Sequence, residues 1–86
     1  MYKIVLTKTA EKEYRYLYNH DNAIFIRIRK ALSYIAEAPH QGKQLKLKLK
    51  GKWSYRVGVY RIIYSIDGTV LTVYVLDIGH RREVYR

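Results

Sequence analysis

The chain contains no cysteine, one proline, and no apolar run near the ~20 residues that a membrane-spanning helix needs. Without cysteine there is no disulfide framework and no cysteine-based zinc site, which suits a reducing compartment. The apolar part of the N-terminus is too short for a signal peptide. We therefore expect a cytoplasmic protein without a membrane partner, folded as a single domain over residues 1–86.

Acidic residues are also scarce, because 7 Asp and Glu stand against 17 Lys and Arg, for a formal net charge of +10. The imbalance is uneven: residues 43–86 carry 10 basic and 3 acidic groups, against 7 and 4 in residues 1–42. An anionic partner, either nucleic acid or an acidic protein, would offset this self-repulsion. The alternative is a basic domain whose charge serves solubility alone.

The first half of the chain has the pattern of a strand followed by a helical hairpin. The apolar residues before Thr7 are typical of a strand, and Thr7 or Thr9 can cap a helix. A polar cluster around Asp21 ends that helix and can cap the next one. A continuous apolar stripe then runs along the second helix until Pro39 ends it.

Residues 40–52 change character, because three leucines alternate with lysines. Strict alternation predicts a half-buried extended segment with its leucines inward and its lysines in water. One interpretation is an edge strand that lysine protects from aggregation. The other is a row of cations that follows a phosphate backbone, formed by Lys46, Lys48, Lys50 and Lys52.

The remainder predicts a β-meander with two tight turns. A two-residue turn at Asp67-Gly68 would pair Ile66 with Thr69. A turn at Gly58-Val59, where a β-branched residue is unfavourable for positive φ, would place Arg56 opposite Arg61.

Side-chain alternation sorts this meander into two faces. The apolar, aromatic face can cover both helices, and it comprises Trp53, Tyr55, Val57, Tyr60, Ile62, Tyr64, Ile66, Leu71, Val73 and Val75. The other face is mixed and polar, with Arg56 and Arg61 at its centre. The predicted fold class is α+β: an N-terminal strand, a helical hairpin, then an antiparallel β-meander, with the helices packed on one face and the other face open.

Arg56 and Arg61 are unusual because like charges opposite each other destabilise a sheet. Two guanidinium groups that converge would form a clamp for an oxyanion, since each offers a planar fork of donors. In the alternative, one arginine pairs with Asp77 or Glu83 while the other stacks on Tyr74.

The C-terminal residues follow the end of a strand that we expect beside the arginine pair, and they supply candidates for proton transfer. His80 can titrate near neutrality as a general acid or base, although a lone histidine near a chain end is more often a surface residue. Tyr85 can donate a proton or stack on a base, or else anchor the chain end on the sheet.

The sequence has no carboxylate pair for glycosidic or metal-ion chemistry, no nucleotide-binding loop and no zinc-protease motif. We therefore predict no metal and no cofactor. For RNA, the metal-free route is attack of the 2′-hydroxyl on the adjacent phosphate, with arginines stabilising the added negative charge.

Two segments resemble the RelE branch of the RelE/ParE toxins of type II toxin–antitoxin systems. They are residues 49–64, LKGKWSYRVGVYRIIY, and residues 75–85, VLDIGHRREVY. The resemblance extends over the whole chain in its order of elements. It implies a RelE-like fold and a ribosome-dependent mRNA endonuclease, held inactive by a cognate RelB-like antitoxin.

The resemblance also implies roles for particular residues. Arg61 matches the strand arginine that contacts the scissile phosphate, Arg81 a basic residue after the last strand, and Tyr85 a C-terminal tyrosine. A lysine pair of the family falls on Ser54 and Arg56, and only Arg56 keeps the charge. His80 or Tyr85 is therefore expected to take over proton transfer, and Arg82 is expected to contact RNA. Val59 departs from an aspartate common in relatives.

Two other functions compete with the nuclease. One is a ParE-like toxin that binds DNA gyrase and has no catalytic activity of its own. The other is a nucleic-acid-binding module whose charge serves affinity alone. The Arg56/Arg61 pair together with the ending that carries His80, Arg81 and Tyr85 favours the nuclease, since an inhibitor that only binds protein does not need them together.

Overall fold

A computed structural model describes residues 1–80 of the chain as five strands and two helices. The strands are β1 (Lys3–Leu6), β2 (Lys43–Gln44), β3 (Trp53–Val57), β4 (Tyr60–Asp67) and β5 (Thr72–His80). The helices are α1 (Lys8–His20) and α2 (Asn22–Glu37), and two short 3-10 turns occupy Pro39–Gln41 and Leu47–Leu49. None of the helices among residues 1–80 is both long and apolar enough to span a membrane.

The helical hairpin forms as the sequence predicts. The Thr7 hydroxyl accepts a hydrogen bond of 3.3 Å from the backbone N–H of Ala10, which caps α1. Asp21 caps α2 in the same way, because its carboxylate accepts from the backbone N–H of Ile24 at 3.2 Å. The second helix ends at Glu37, two residues before Pro39, since the residue before proline avoids helical geometry.

The sheet is mixed rather than purely antiparallel, with strand order β1-β5-β4-β3-β2. β1 pairs in parallel with β5, so that Lys3 lies opposite Thr72 and Leu6 opposite Val75. The other pairs are antiparallel. The α+β class is thus confirmed, and β1 forms one edge of the sheet beside β5.

The core lies between the helices and one face of the sheet. Both helices contribute their apolar stripes, and β3, β4 and β5 contribute alternate residues. The buried members are Ala10, Leu17, Ile28, Ala31, Leu32, Ile35, Val57, Ile62, Tyr64, Val73, Val75 and Ile78. The predicted core face of β3 and β4 is therefore confirmed.

The turn between β3 and β4 is the predicted two-residue turn. Val57 lies opposite Tyr60, and Arg56 lies opposite Arg61. Gly58 has φ of +61°, whereas Val59 has no positive φ. This is the requirement of a II′ turn, in which only the first central residue needs positive φ, so the β-branched Val59 is tolerated.

The predicted turn between β4 and β5 is wrong. Asp67 lies opposite Thr72, so the loop contains residues 68–71 rather than two residues. The Asp67 carboxylate accepts a 3.0 Å hydrogen bond from the backbone N–H of Thr69, a side-chain turn that competes with tight hairpin pairing. Leu71, expected in the core, adopts a φ of +47° and is 52% exposed.

A β-bulge in β5 changes which side chains share a face. Tyr64 lies opposite Val75, but its neighbour Ile63 lies opposite Asp77, so one extra residue stands between the two partners. A bulge reverses the alternation beyond it. Ile78 therefore enters the core, and Asp77 faces the side that carries Arg61.

The basic finger, residues 45–52, does not form the predicted half-buried extended segment. The finger is closed at its base by a 2.9 Å hydrogen bond from the Leu45 N–H to the Lys52 carbonyl. Leu47 has φ of +57° and Gly51 has φ of +89°, and these left-handed residues fold the chain back. Leu45 and Leu49 are half-buried, as the alternation predicts, but Leu47 is 91% exposed.

Candidate nucleic-acid interface

Arg56 and Arg61 lie opposite each other on the face of the sheet that points away from the helices. Their neighbours Val57 and Ile62 are buried in the core, so alternation directs the two arginines to the other side. The expected juxtaposition is confirmed. This face is less open than expected, because Ser54 and Ile63 on it are only 2% and 5% exposed.

The two guanidinium groups extend in opposite directions along the strands. Arg56 donates from Nε to the carbonyl oxygen of Gly58 at 3.2 Å, toward the turn. Arg61 donates from Nη1 to the Ser54 hydroxyl at 3.3 Å, away from the turn. The divergence reduces the repulsion between them, because the Coulomb energy of like charges falls with distance. The two arginines therefore form a short track of hydrogen-bond donors along the strands, rather than the predicted clamp of two converging guanidinium groups.

An open cavity of about 530 Å³ lies beside this track. It is lined by Gln41, Gly42, Lys43, Ser54, Tyr55, Arg56 and Arg61. Three of these residues are cationic and, among the described residues, none that lines the cavity is a carboxylate. Such a cavity favours an anion with several acceptor oxygens, such as a phosphodiester.

Lys43 belongs to this site, although no sequence pattern singles it out. It lies directly opposite Ser54 in the β2–β3 pair, and so on the same face as the arginines. Strand β2 has only two residues, too short to give a periodic pattern. The available signal was its position directly after Gly42, at the start of a lysine-rich stretch.

Gly42 lines the cavity, and the buried Tyr64 packs against it from the core side. A Cβ atom at position 42 would collide with the Tyr64 hydroxyl, so only glycine allows this close approach. Burial raises the pKa of Tyr64 to about 12, and a hydrogen bond from the Gly42 backbone opposes this only in part. The phenol thus stays protonated at neutral pH and acts as a structural donor rather than a base.

The four predicted lysines follow Lys43 in the basic finger. Lys46, Lys48 and Lys50 are exposed, and Lys52 is half-buried at the base of the finger. Residues 38–66 contain seven Lys and Arg and no Asp or Glu. The finger and the arginine cavity are thus one continuous positively charged segment of chain.

His80 lies on the opposite face from the arginines. It pairs with Tyr60, and the two rings meet edge to face with centroids 6.1 Å apart. Tyr60 packs against the core, whereas its neighbour Arg61 points to the other side. The expectation that His80 stands beside the arginines is therefore wrong, because the bulge in β5 reverses the alternation.

The other predicted site residues, Arg81, Arg82 and Tyr85, lie outside the described residues. So does Glu83, one of the two carboxylates considered as an arginine partner. Within residues 1–80, no group of three or more His, Asp or Glu side chains is arranged to hold a metal ion.

Solved structures of small bacterial toxins have the same fold. The RelBE2 toxin–antitoxin complex of Mycobacterium tuberculosis superposes with a TM-score of 0.80 at 30% identity, over 93% of this chain and 98% of that chain. The isolated RelE toxin of E. coli gives a TM-score of 0.76 over 99% of this chain and 92% of that chain. Because its identity is 22%, that second likeness concerns the fold alone.

Sequence comparison leads to the same class of protein. The family model of the ParE toxin of type II toxin–antitoxin systems, parDE, matches residues 4–85. Toxin RelG of Mycobacterium tuberculosis is 44% identical over 45 residues, so the match spans 52% of this chain and about half, 52%, of that relative. The chain belongs to the RelE/ParE superfamily of type II toxin–antitoxin toxins.

Proposed function

We propose that this toxin is a ribosome-dependent endoribonuclease that cleaves mRNA in the ribosomal A site and so inhibits translation. The observation that carries the proposal is the cavity in which Lys43, Arg56 and Arg61 surround one open space, with no carboxylate among the described residues that line it. An inhibitor that acts only by binding protein does not require this concentration of phosphate-binding groups on a sheet.

In the proposed reaction, the 2′-oxygen of the RNA attacks the adjacent phosphorus and the bond to the 5′-oxygen breaks. The 2′-hydroxyl loses its proton to a base, and the departing 5′-oxygen gains one. The products are a 2′,3′-cyclic phosphate and a 5′-hydroxyl. Arg61 and Arg56 stabilise the additional negative charge on the phosphorane-like transition state, where donors in fixed positions contribute most.

Proton transfer belongs to the C-terminal residues in this proposal. Because His80 faces away from the arginines, we give this role to Tyr85, with Arg81 beside the phosphate and Arg82 in contact with RNA. The proposed partners are mRNA, the ribosome and a cognate RelB-like antitoxin, since the similar structures include a toxin–antitoxin complex. The proposed location is the cytoplasm, where ribosomes are found.

The test is incubation of the purified protein with ribosomes programmed with a defined mRNA. The proposal predicts fragments whose 5′ ends are hydroxyls, which require phosphorylation before they can be ligated. Arg61→Ala should reduce the cleavage rate by about 100-fold or more, the usual scale for removing a donor to transition-state charge. Arg61→Lys keeps the charge but loses the planar fork of donors, so its cleavage rate should lie between those of the wild type and Arg61→Ala.

Arg15→Ala is the matched control, because it removes one positive charge from exposed α1. Circular dichroism melting establishes whether each variant is folded. Cleavage by folded Arg61→Ala at the wild-type rate would remove the arginine from the mechanism.

The second candidate function is inhibition of DNA gyrase, which the ParE description of the matching family model favours. It is tested by a supercoiling assay with the same preparation. Loss of gyrase activity together with intact mRNA on ribosomes would select this function and exclude the nuclease.

A further inference from the structure

The tip of the basic finger combines two features that do not stabilise the fold. Leu47 is 91% exposed, so its side chain gains almost nothing from burial. Its φ of +57° lies in the left-handed region, which disfavours residues with a Cβ atom. Glycine or asparagine would suit this backbone better, and the leucine therefore needs a reason outside the fold.

The basic finger is a loop whose backbone is held by internal hydrogen bonds. Besides the bond between Leu45 and Lys52 at its base, the N–H of Lys50 donates to the Leu47 carbonyl at 3.0 Å. The N–H of Leu49 likewise donates to the Lys46 carbonyl at 3.2 Å. These bonds fix the backbone around Leu47 and hold its side chain in water.

The surroundings of Leu47 indicate what it contacts. Lys46 and Lys48 flank it, and together with Leu49 these residues line an open cavity of about 670 Å³. No acidic residue lies between Glu37 and Asp67 in the sequence. An apolar tip inside an uninterrupted basic stretch fits RNA, in which phosphates accept from lysine while base faces and riboses offer apolar contact.

The finger also leads directly from the arginine cavity. Lys43 lines that cavity, and the finger begins two residues later. The base of the finger therefore lies close to the wall of the cavity, and an RNA that extends beyond the cavity can reach the finger.

We propose that Leu47 is an apolar anchor that packs against bases of folded ribosomal RNA while the flanking lysines contact its phosphates. The inference rests on the proposed function, because it takes the ribosome as the partner. Leu47 would supply affinity that does not depend on salt, whereas the lysines supply the part that does.

Leu47→Gly tests this directly, because it removes the side chain and relieves the backbone. Leu71→Gly is the matched control, since Leu71 is the other non-glycine residue among the described ones with positive φ and is also exposed. Leu47→Gly should melt at a higher temperature than the wild type, whereas in Leu71→Gly the backbone relief is offset by the loss of a half-buried side chain. Only Leu47→Gly should weaken binding to ribosomes, by about tenfold, the scale expected from exposing part of a leucine side chain that had been buried against a base.

Salt dependence separates the leucine from the lysines. Leu47→Gly should keep the wild-type slope of log affinity against log salt concentration. The double variant Lys46→Gln with Lys48→Gln should lower the magnitude of that slope by about 0.7–0.9 for each phosphate that the lysines no longer neutralise. Wild-type ribosome affinity of Leu47→Gly would overturn the inference. Weaker antitoxin binding with unchanged ribosome binding would overturn it too, by assigning Leu47 to a protein pocket.

The cleavage assay distinguishes failure of this inference from failure of the proposed function. If wild-type protein cleaves mRNA and Leu47→Gly binds ribosomes normally, only the inference is overturned. If the wild type neither binds ribosomes nor cleaves mRNA, both are overturned.

Discussion

The hydroxyl of Tyr64 donates a 2.6 Å hydrogen bond to the carbonyl oxygen of Pro39, 25 residues earlier in the chain. Tyr64 is fully buried in the centre of the sheet, and Pro39 begins the segment that connects α2 to β2. The bond therefore fixes the backbone of residues 39–42, which leads into the wall of the arginine cavity.

Tyr64→Phe should destabilise the protein by about 1–3 kcal/mol, because the buried Pro39 carbonyl loses its donor. The measurement is chemical denaturation followed by circular dichroism. Tyr18→Phe is the control, since Tyr18 is 61% exposed and should change stability little. Equal stability of Tyr64→Phe and the wild type would contradict a structural role for the hydroxyl.

The same tyrosine should make the protein sensitive to alkali. Burial raises the pKa of Tyr64 from 10.0 to about 12 in the folded protein, so the unfolded chain releases this proton at lower pH. The corresponding stability is fully present below about pH 10 and is lost as pH rises toward about 12. Its size is of order 2 kcal/mol.

Unfolding free energies measured across this alkaline range check the effect. The difference between the wild type and Tyr64→Phe should shrink, and can reverse, as pH rises. Parallel curves for the two proteins would show that Tyr64 does not titrate with a raised pKa.

Replacing Arg56 with a neutral residue should stabilise the folded protein. Because it lies opposite Arg61, Arg56→Gln should stabilise the protein by a few tenths of a kcal/mol at low salt. Added salt screens the repulsion, so the advantage over the wild type should diminish. Arg56→Lys keeps the charge, so its stability should vary with salt as that of the wild type does. If the stability of all three proteins depends on salt identically, repulsion between Arg56 and Arg61 is excluded.

His80 should matter less for cleavage than Arg61. The histidine shares a face with Tyr60, away from the cavity. His80→Gln should therefore keep the cleavage rate within about tenfold of wild type, below the usual contribution of a general acid or base. Single-turnover rates on programmed ribosomes provide the comparison, and a loss as large as that of Arg61→Ala would return His80 to the mechanism.

The sequence was sufficient where the structure depends on neighbours along the chain. The cap at Asp21, the helix end before Pro39 and the glycine turn at Gly58 are local features and were predicted correctly. For the first helix the sequence left Thr7 and Thr9 open as caps, and the structure selects Thr7. The turn at Gly58 then set Arg56 opposite Arg61, because register in a hairpin follows from its turn.

Tertiary structure decided what local pattern cannot encode. The bulge opposite Ile63 and Tyr64 depends on the pairing of β4 with β5. The wider loop after Asp67 and the fold of the basic finger rest on short-range hydrogen bonds that apolar alternation does not report. One extra residue in β5 was enough to move His80 away from the arginines. The sequence by itself thus determined the fold class and the basic surface. Only the packed sheet decided which side chains share that surface, because strand alternation is reset by any bulge.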